Sequence, residues 1–214
     1  MRKLIVFLFV CILSSVTLQA QQQNKQQDKW EVFGGYTYAK AYFANHANTI
    51  SPLSLNGGQF AVTYYGSKHI GLTADFSSLA DHVALNNAQA FSGAEFRNES
   101  FLFGPTARFG FPGVKSQRVS LFAHQLFGVS RVSITPDYGD FCNATQKQCK
   151  ATPFTMNSGG GMDLKVSAHV SVRPFQMDYW SQKLSMSDLM KENTEGENLS
   201  TDGFRYSAGV VYNF

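Results

Sequence analysis

Eight ionisable side chains recur where polar residues alternate with apolar ones: Glu31, Asp75, Asp163 and Asp178, and Arg108, Lys165, Arg173 and Arg205. Four acids against four bases on one face suit a network of ion pairs, and equally a charged gate in a narrow pore. If that face is enclosed, the charges lose water and must pair. Other chemistry has thinner support. His46, His69, His82, His124 and His169 are scattered, and no Cys/His or paired-carboxylate spacing marks a metal site or calls for a cofactor. Asp137, Asp140 and Asp202 offer at most weak Ca²⁺ ligands. Cys142 and Cys149 are close together in a polar stretch, which in an exported chain predicts a local disulfide.

The elements that carry these residues have a period of two, not 3.6. Eight alternating segments are predicted as strands: 30–40, 57–66, 69–78, 100–110, 118–132, 154–166, 169–180 and 204–214. In 69–78, Ile70, Leu72, Ala74 and Phe76 oppose Gly71, Thr73 and Asp75. In 100–110, Phe101, Phe103, Pro105, Ala107 and Phe109 oppose Arg108 and its polar neighbours. The charges fall on the polar face each time, and a Lys or Arg facing lipid at mid-bilayer would cost roughly 2–4 kcal/mol. The seventh segment keeps the rule only with a bulge at Pro174, which places Arg173, Gln176 and Asp178 inside and Val172, Phe175, Met177 and Tyr179 outside. In the fifth, His124 and Gln125 are adjacent, and His124 is favoured as the inward residue. The first is ambiguous, because Phe33 shares a face with Glu31. Trp30, Tyr36, Tyr38, Tyr64, Tyr65, Tyr179, Trp180, Tyr206 and Tyr212 lie towards strand ends, as interfacial girdles do.

The connections alternate in length. Those over 41–56, 79–99, 133–153 and 181–201 are long and polar, and the others are short. The fold expected is all-β: an eight-stranded antiparallel up-and-down transmembrane barrel, with long loops on one side and tight turns on the other. Only a closed barrel satisfies every strand hydrogen bond in lipid. An interior of eight strands is just wide enough for side chains to fill, so the eight charges are read as a salt-bridge core.

The N-terminus predicts export. Arg2 and Lys3 precede an apolar run from Leu4 to Leu13 and then small and polar residues, the order of a signal peptide over 1–20 that is cleaved after Ala20. Residues 21–29 are a polar linker and 30–214 the barrel domain. Losing Arg2 and Lys3 removes most of the +3 formal charge of the full sequence, so charge gives no argument for nucleic acid.

WEVFGGYTYAK, the GGGMDLKV and VSVRPFQMDYW pair, and the terminal FRYSAGVVYNF make the sequence resemble the small eight-stranded outer-membrane barrels of the outer-membrane protein A type, in their stand-alone form. The resemblance implies residence in the bacterial outer membrane, contact with its lipid and lipopolysaccharide, and recognition of the terminal Phe214 by the barrel-assembly machinery.

The leading functional reading is a non-enzymatic scaffold, structural or adhesive, whose loops meet an extracellular ligand. A narrow gated pore is a second reading. A lipid A-modifying barrel enzyme is a third, but the His-x-Ser-Asn arrangement sought for it does not follow His124. A soluble eight-stranded binder would need the opposite polarity, apolar inside and polar outside.

Overall fold

The computed structural model describes residues 29–44, 53–83, 94–110, 118–135, 149–185 and 198–214. The signal peptide, the linker up to residue 28, Cys142 (and with it the disulfide to Cys149), Asp137 and Asp140 lie outside the described residues. The strands are β1 (Trp30–Ala44), β2 (Leu53–Tyr65), β3 (Ile70–Val83), β4 (Ala94–Gly110) and β5 (Val119–Thr135), then β6 (Cys149–Ala151), β7 (Phe154–Lys165), β8 (Val170–Ser185) and β9 (Asn198–Asn213). Each pairs antiparallel with its neighbours, and β6 and β7 both pair with β5, forming one interrupted stave at Pro153. β9 returns to β1 through a register from Glu31↔Asn213 to Ala44↔Ser200, and β4 joins β5, so the sheet closes into an eight-stave meander.

Closure reaches the last residue. Trp30 N donates to Phe214 O at 2.9 Å, and Phe214 N donates to Trp30 O at 3.0 Å. The bulge expected at Pro174 is present, because the β8–β9 register shifts between Arg173 and Gln176. Arg173, Gln176 and Asp178 are buried while Val172, Phe175, Met177 and Tyr179 are exposed. Proline has no N–H to give the ladder, so the chain spends an extra residue there.

The outer face is apolar between the short turns and a polar collar. Outward-facing Phe101, Phe103, Phe109, Phe76, Leu72, Phe60, Phe204 and Tyr206 are all exposed. On β4 this band runs from Phe101 to Phe109, and on β9 from Phe204 to Phe214. With tilted strands those spans stand roughly 20–26 Å tall, the height of a bilayer's hydrocarbon layer.

Beyond the band the strands continue, and their polarity inverts. Lys40, Asn56, Arg97, Arg131, Lys150 and Lys183 face outward and are exposed. Beneath them Ala39, Ala41, Leu55, Leu79, Phe96, Val132, Ala151 and Trp180 form a buried apolar cluster. The connections expected over 41–56, 79–99, 133–153 and 181–201 are correspondingly shorter. Their flanks pair as strand, with Lys40↔Ser54, Val83↔Ala94, Ser133↔Lys150 and Ser185↔Asn198 in register. A strand that leaves lipid for water exchanges its polar and apolar faces, and its polar outer residues then resemble a loop. Two aromatics assigned to the girdles also lie inside. Tyr65 and Trp180 are buried, because each follows an outward tyrosine and strict alternation turns it inward.

Candidate functional site

The polar lumen between the short turns and the apolar cluster is the candidate site. Alternation delivers its members: every stave turns Thr, Ser, Gln, Asp, Glu, His or Arg inward, among fewer apolar residues such as Phe33, Leu102 and Phe122, where a soluble barrel would have mostly aliphatics.

The set nearest the short turns centres on Arg173 of β8. Its Nε donates to Asp163 Oδ1 at 2.7 Å, and its Nη2 to Asp163 Oδ2 at 3.0 Å and to Glu31 Oε1 at 2.8 Å. Nη1 donates to Gln176 Oε1 at 3.0 Å. The guanidinium also lies between two rings, 4.5 Å from the centroid of Phe33 and 3.9 Å from that of Phe122. That contact explains why Phe33 shares Glu31's face: a desolvated guanidinium gains from an aromatic face as well as from carboxylates. Arg108 Nη1 reaches Glu31 Oε2 at 3.5 Å and stacks 4.0 Å from the centroid of Tyr65.

A second set stands above it, centred on Asp178 and Arg205, which are direct register partners on β8 and β9. Arg205 Nε and Nη2 both donate to Asp178 Oδ2, at 2.9 and 2.8 Å. Arg205 Nη1 donates to Asp75 Oδ1 and to Ser77 Oγ, both at 3.2 Å. Gln59 donates to Asp75 Oδ2. His124 Nε2 lies 2.9 Å from Asp178 Oδ1. Gln176 joins the two sets: it accepts from Arg173 and donates through Nε2 to Asp178 Oδ2 at 2.8 Å. Every stave therefore contributes a side chain.

Among the sequence-derived residues, the structure brings Glu31, Asp163, Arg173 and Arg108 together in the lower set and Asp75, Asp178 and Arg205 in the upper one. Lys165 is exposed at the short-turn end of β7, past the buried charges of the lumen. Phe122 is not among the residues expected from the sequence. Gln59 and Gln176 are expected on the inward face, but their partners, and the linking role of Gln176, come from the structure.

The glycine triplet of β7 is part of the construction. A Cβ on Gly159 would stand 2.0 Å from Asp178 Oδ1, and one on Gly161 2.9 Å from the Phe122 ring. Both glycines face inward, and their missing side chains leave the room that the carboxylate and the ring occupy. Among the described residues, two cavities of the lumen have volumes of about 10 and 20 Å³, each fit for about one water.

No family model matches the chain, and no curated protein matches it. Solved structures do. Neisserial surface protein A (NspA) aligns over 86% of this chain and 97% of its own, at 14% identity and a TM-score of 0.53. The outer membrane protein OprG from Pseudomonas aeruginosa aligns over 91% and 99%, at 12% identity and a TM-score of 0.52. The fold is that of the small outer-membrane barrels. The attachment invasion locus protein Ail of Yersinia pestis, solved with the heparin analogue sucrose octasulfate, aligns over 87% and 99%, at 12% identity and a TM-score of 0.50. At these identities the likeness is one of architecture. An outer-membrane barrel fold accounts for the exposed aromatic band, which in water would be a large apolar patch without a purpose.

Proposed function

We propose that this chain is a non-enzymatic outer-membrane scaffold, structural or adhesive, that holds its long connections above the lipid and does not conduct. The observation that carries this reading is the filled lumen. Two interlocked ion-pair sets and an apolar cluster above them occupy the lumen among the described residues, and the cavities beside Arg173 and Arg205 hold only about 10 and 20 Å³. The charges thus serve as a polar core, and the work falls to the rim and to the segments near 45–52, 84–93, 136–148 and 186–197. The partners are outer-membrane lipid and lipopolysaccharide, the barrel-assembly machinery through Phe214, and an extracellular ligand at the rim. On the collar, outward-facing Lys40, Arg97, Arg131, Lys150 and Lys183 outnumber Glu95, which pairs with Arg97 at 2.9 Å, Glu99, which is the register partner of Arg131, and Asp202. This excess favours an anionic surface. Sulfated polysaccharide is the first ligand to try, given the heparin analogue bound in the Ail structure.

Against an enzyme, the His124–Asp178 pair is buried in the lumen, and the cavity that His124 lines, about 10 Å³, is far too small for a lipid or a peptide. Planar-bilayer recording tests the reading. The reconstituted protein is expected to show no discrete conductance steps, and a stable open channel in the unmodified protein would replace it with the pore reading. Altered acyl chains in lipopolysaccharide incubated with the protein, seen by mass spectrometry, would replace it with the enzyme reading.

A further inference from the structure

Gln125 and Ser158 break the apolar band. The other outward-facing side chains described between the short turns and the collar are aliphatic, aromatic, Met, Pro or absent, as in glycine. Gln125 lies at the middle of the band on β5, with Leu121 and Ala123 towards the short turns and Phe127 and Val129 towards the collar. Ser158 is its direct register partner on β7. Ser158 Oγ donates to Gln125 Oε1, and Gln125 Nε2 donates to Asn157 O at 3.3 Å. A primary amide has two N–H groups and two acceptor lone pairs. These bonds use one of each, and the others point into hydrocarbon, where acyl chains offer no partner.

Two features lie at the same spot. The β4–β5 pairing passes from Phe103↔Phe127 to Thr106↔His124 with no pair at Gly104 or Pro105, beside Gln125, since proline gives the ladder no N–H. One row towards the short turns, Ala107, Ala123 and Gly160 are neighbours in register. The band therefore has a shallow notch between larger side chains, with a polar pair at its edge.

We propose that this β4–β5–β7 face is the contact surface for a second copy of the chain in the membrane, with the Gln125 amide of each copy bonded to that of the other across a two-fold axis. The amide group is self-complementary, so one residue type on both sides supplies the missing donor and the missing acceptor. Small residues let the two sheets approach closely, and polar side chains supply the attraction that lipid cannot give. The inference rests on the band facing lipid and goes beyond the scaffold function.

The test is step-counting photobleaching of N-terminally labelled protein in phosphatidylcholine vesicles at falling protein-to-lipid ratios. Faster migration of unheated than boiled protein on denaturing gels first establishes that each variant is a folded barrel. Unmodified protein is expected to give two-step traces. Gln125→Leu should weaken association about tenfold, Ala123→Phe should abolish it by filling the notch, and Phe60→Leu on β2 should leave it unchanged. Single-step traces at every density overturn the proposal, even if another membrane protein co-purifies from cells, and so does a Gln125→Leu variant that dimerises normally. A barrel that conducts yet dimerises would sink the scaffold reading and keep this one.

Discussion

Arg173 grips Asp163 with both arms, Nε on Oδ1 at 2.7 Å and Nη2 on Oδ2 at 3.0 Å, and both residues are buried. Removing one partner strands the other charge in a dry lumen. Arg173→Met is expected to cost about 3–5 kcal/mol in urea unfolding from vesicles. Arg173→Met combined with Asp163→Leu should cost less than that single change. A double variant that loses the sum of the two single losses would show that the residues are not coupled.

Ala74 and Ala80 face outward on the same strand, opposite Phe103 and Arg97 respectively. Ala74 lies in the band and Ala80 in the collar. Ala74→Arg should destabilise the folded barrel by roughly 2–4 kcal/mol, whereas Ala80→Arg should change it by at most about 1 kcal/mol. Equal losses at the two sites would remove the case for a boundary between them.

Gly159 and Gly34 differ in what a methyl group would meet. At Gly159 it would meet Asp178 Oδ1 at 2.0 Å and Met177 O at 2.5 Å, and at Gly34 nothing within 4 Å. Gly159→Ala should cost about 1–3 kcal/mol by overpacking the Asp178 site. Gly34→Ala should stay within about 0.5 kcal/mol. The unfolding midpoints of the two variants in one denaturant series decide the matter.

Phe214 exchanges two backbone bonds with Trp30. Deleting it should take about 1–3 kcal/mol from a barrel refolded in vitro, while the amount inserted in cells should fall far more. Normal cellular insertion of the deletion variant would end the role proposed for Phe214 in assembly.

Much of this architecture is legible in the sequence because lipid enforces a strict rule. Ile70, Leu72, Ala74 and Phe76 must share a face, and a single misplaced arginine would be expensive. The Pro174 bulge follows from the same rule, since only an extra residue brings Arg173 and Asp178 to one side. Tyr65 and Trp180, expected in the girdles, break the same rule there: each follows an outward tyrosine, and adjacent residues of a regular strand cannot both face lipid. The collar is harder to read. Above the band the rule inverts, so Leu79 and Phe96 turn inward while Arg97 and Lys40 turn outward, and no local pattern tells an inverted strand from a polar loop. Partner choice is harder still. His124 meets Asp178 from 54 positions away, and nothing near either residue announces the other.

The bond from Arg173 to Glu31 spans 142 positions, and that from Arg205 to Asp75 spans 130. Neither can form until almost the whole chain has arrived. A sheet with a missing edge would keep Arg173 on Asp163 and Arg205 on Asp178 but would lack Glu31 or Asp75, leaving the charges only partly paired against the oily interior of the bilayer. The interior is therefore a check on completeness: its full set of partners exists only once the barrel is closed.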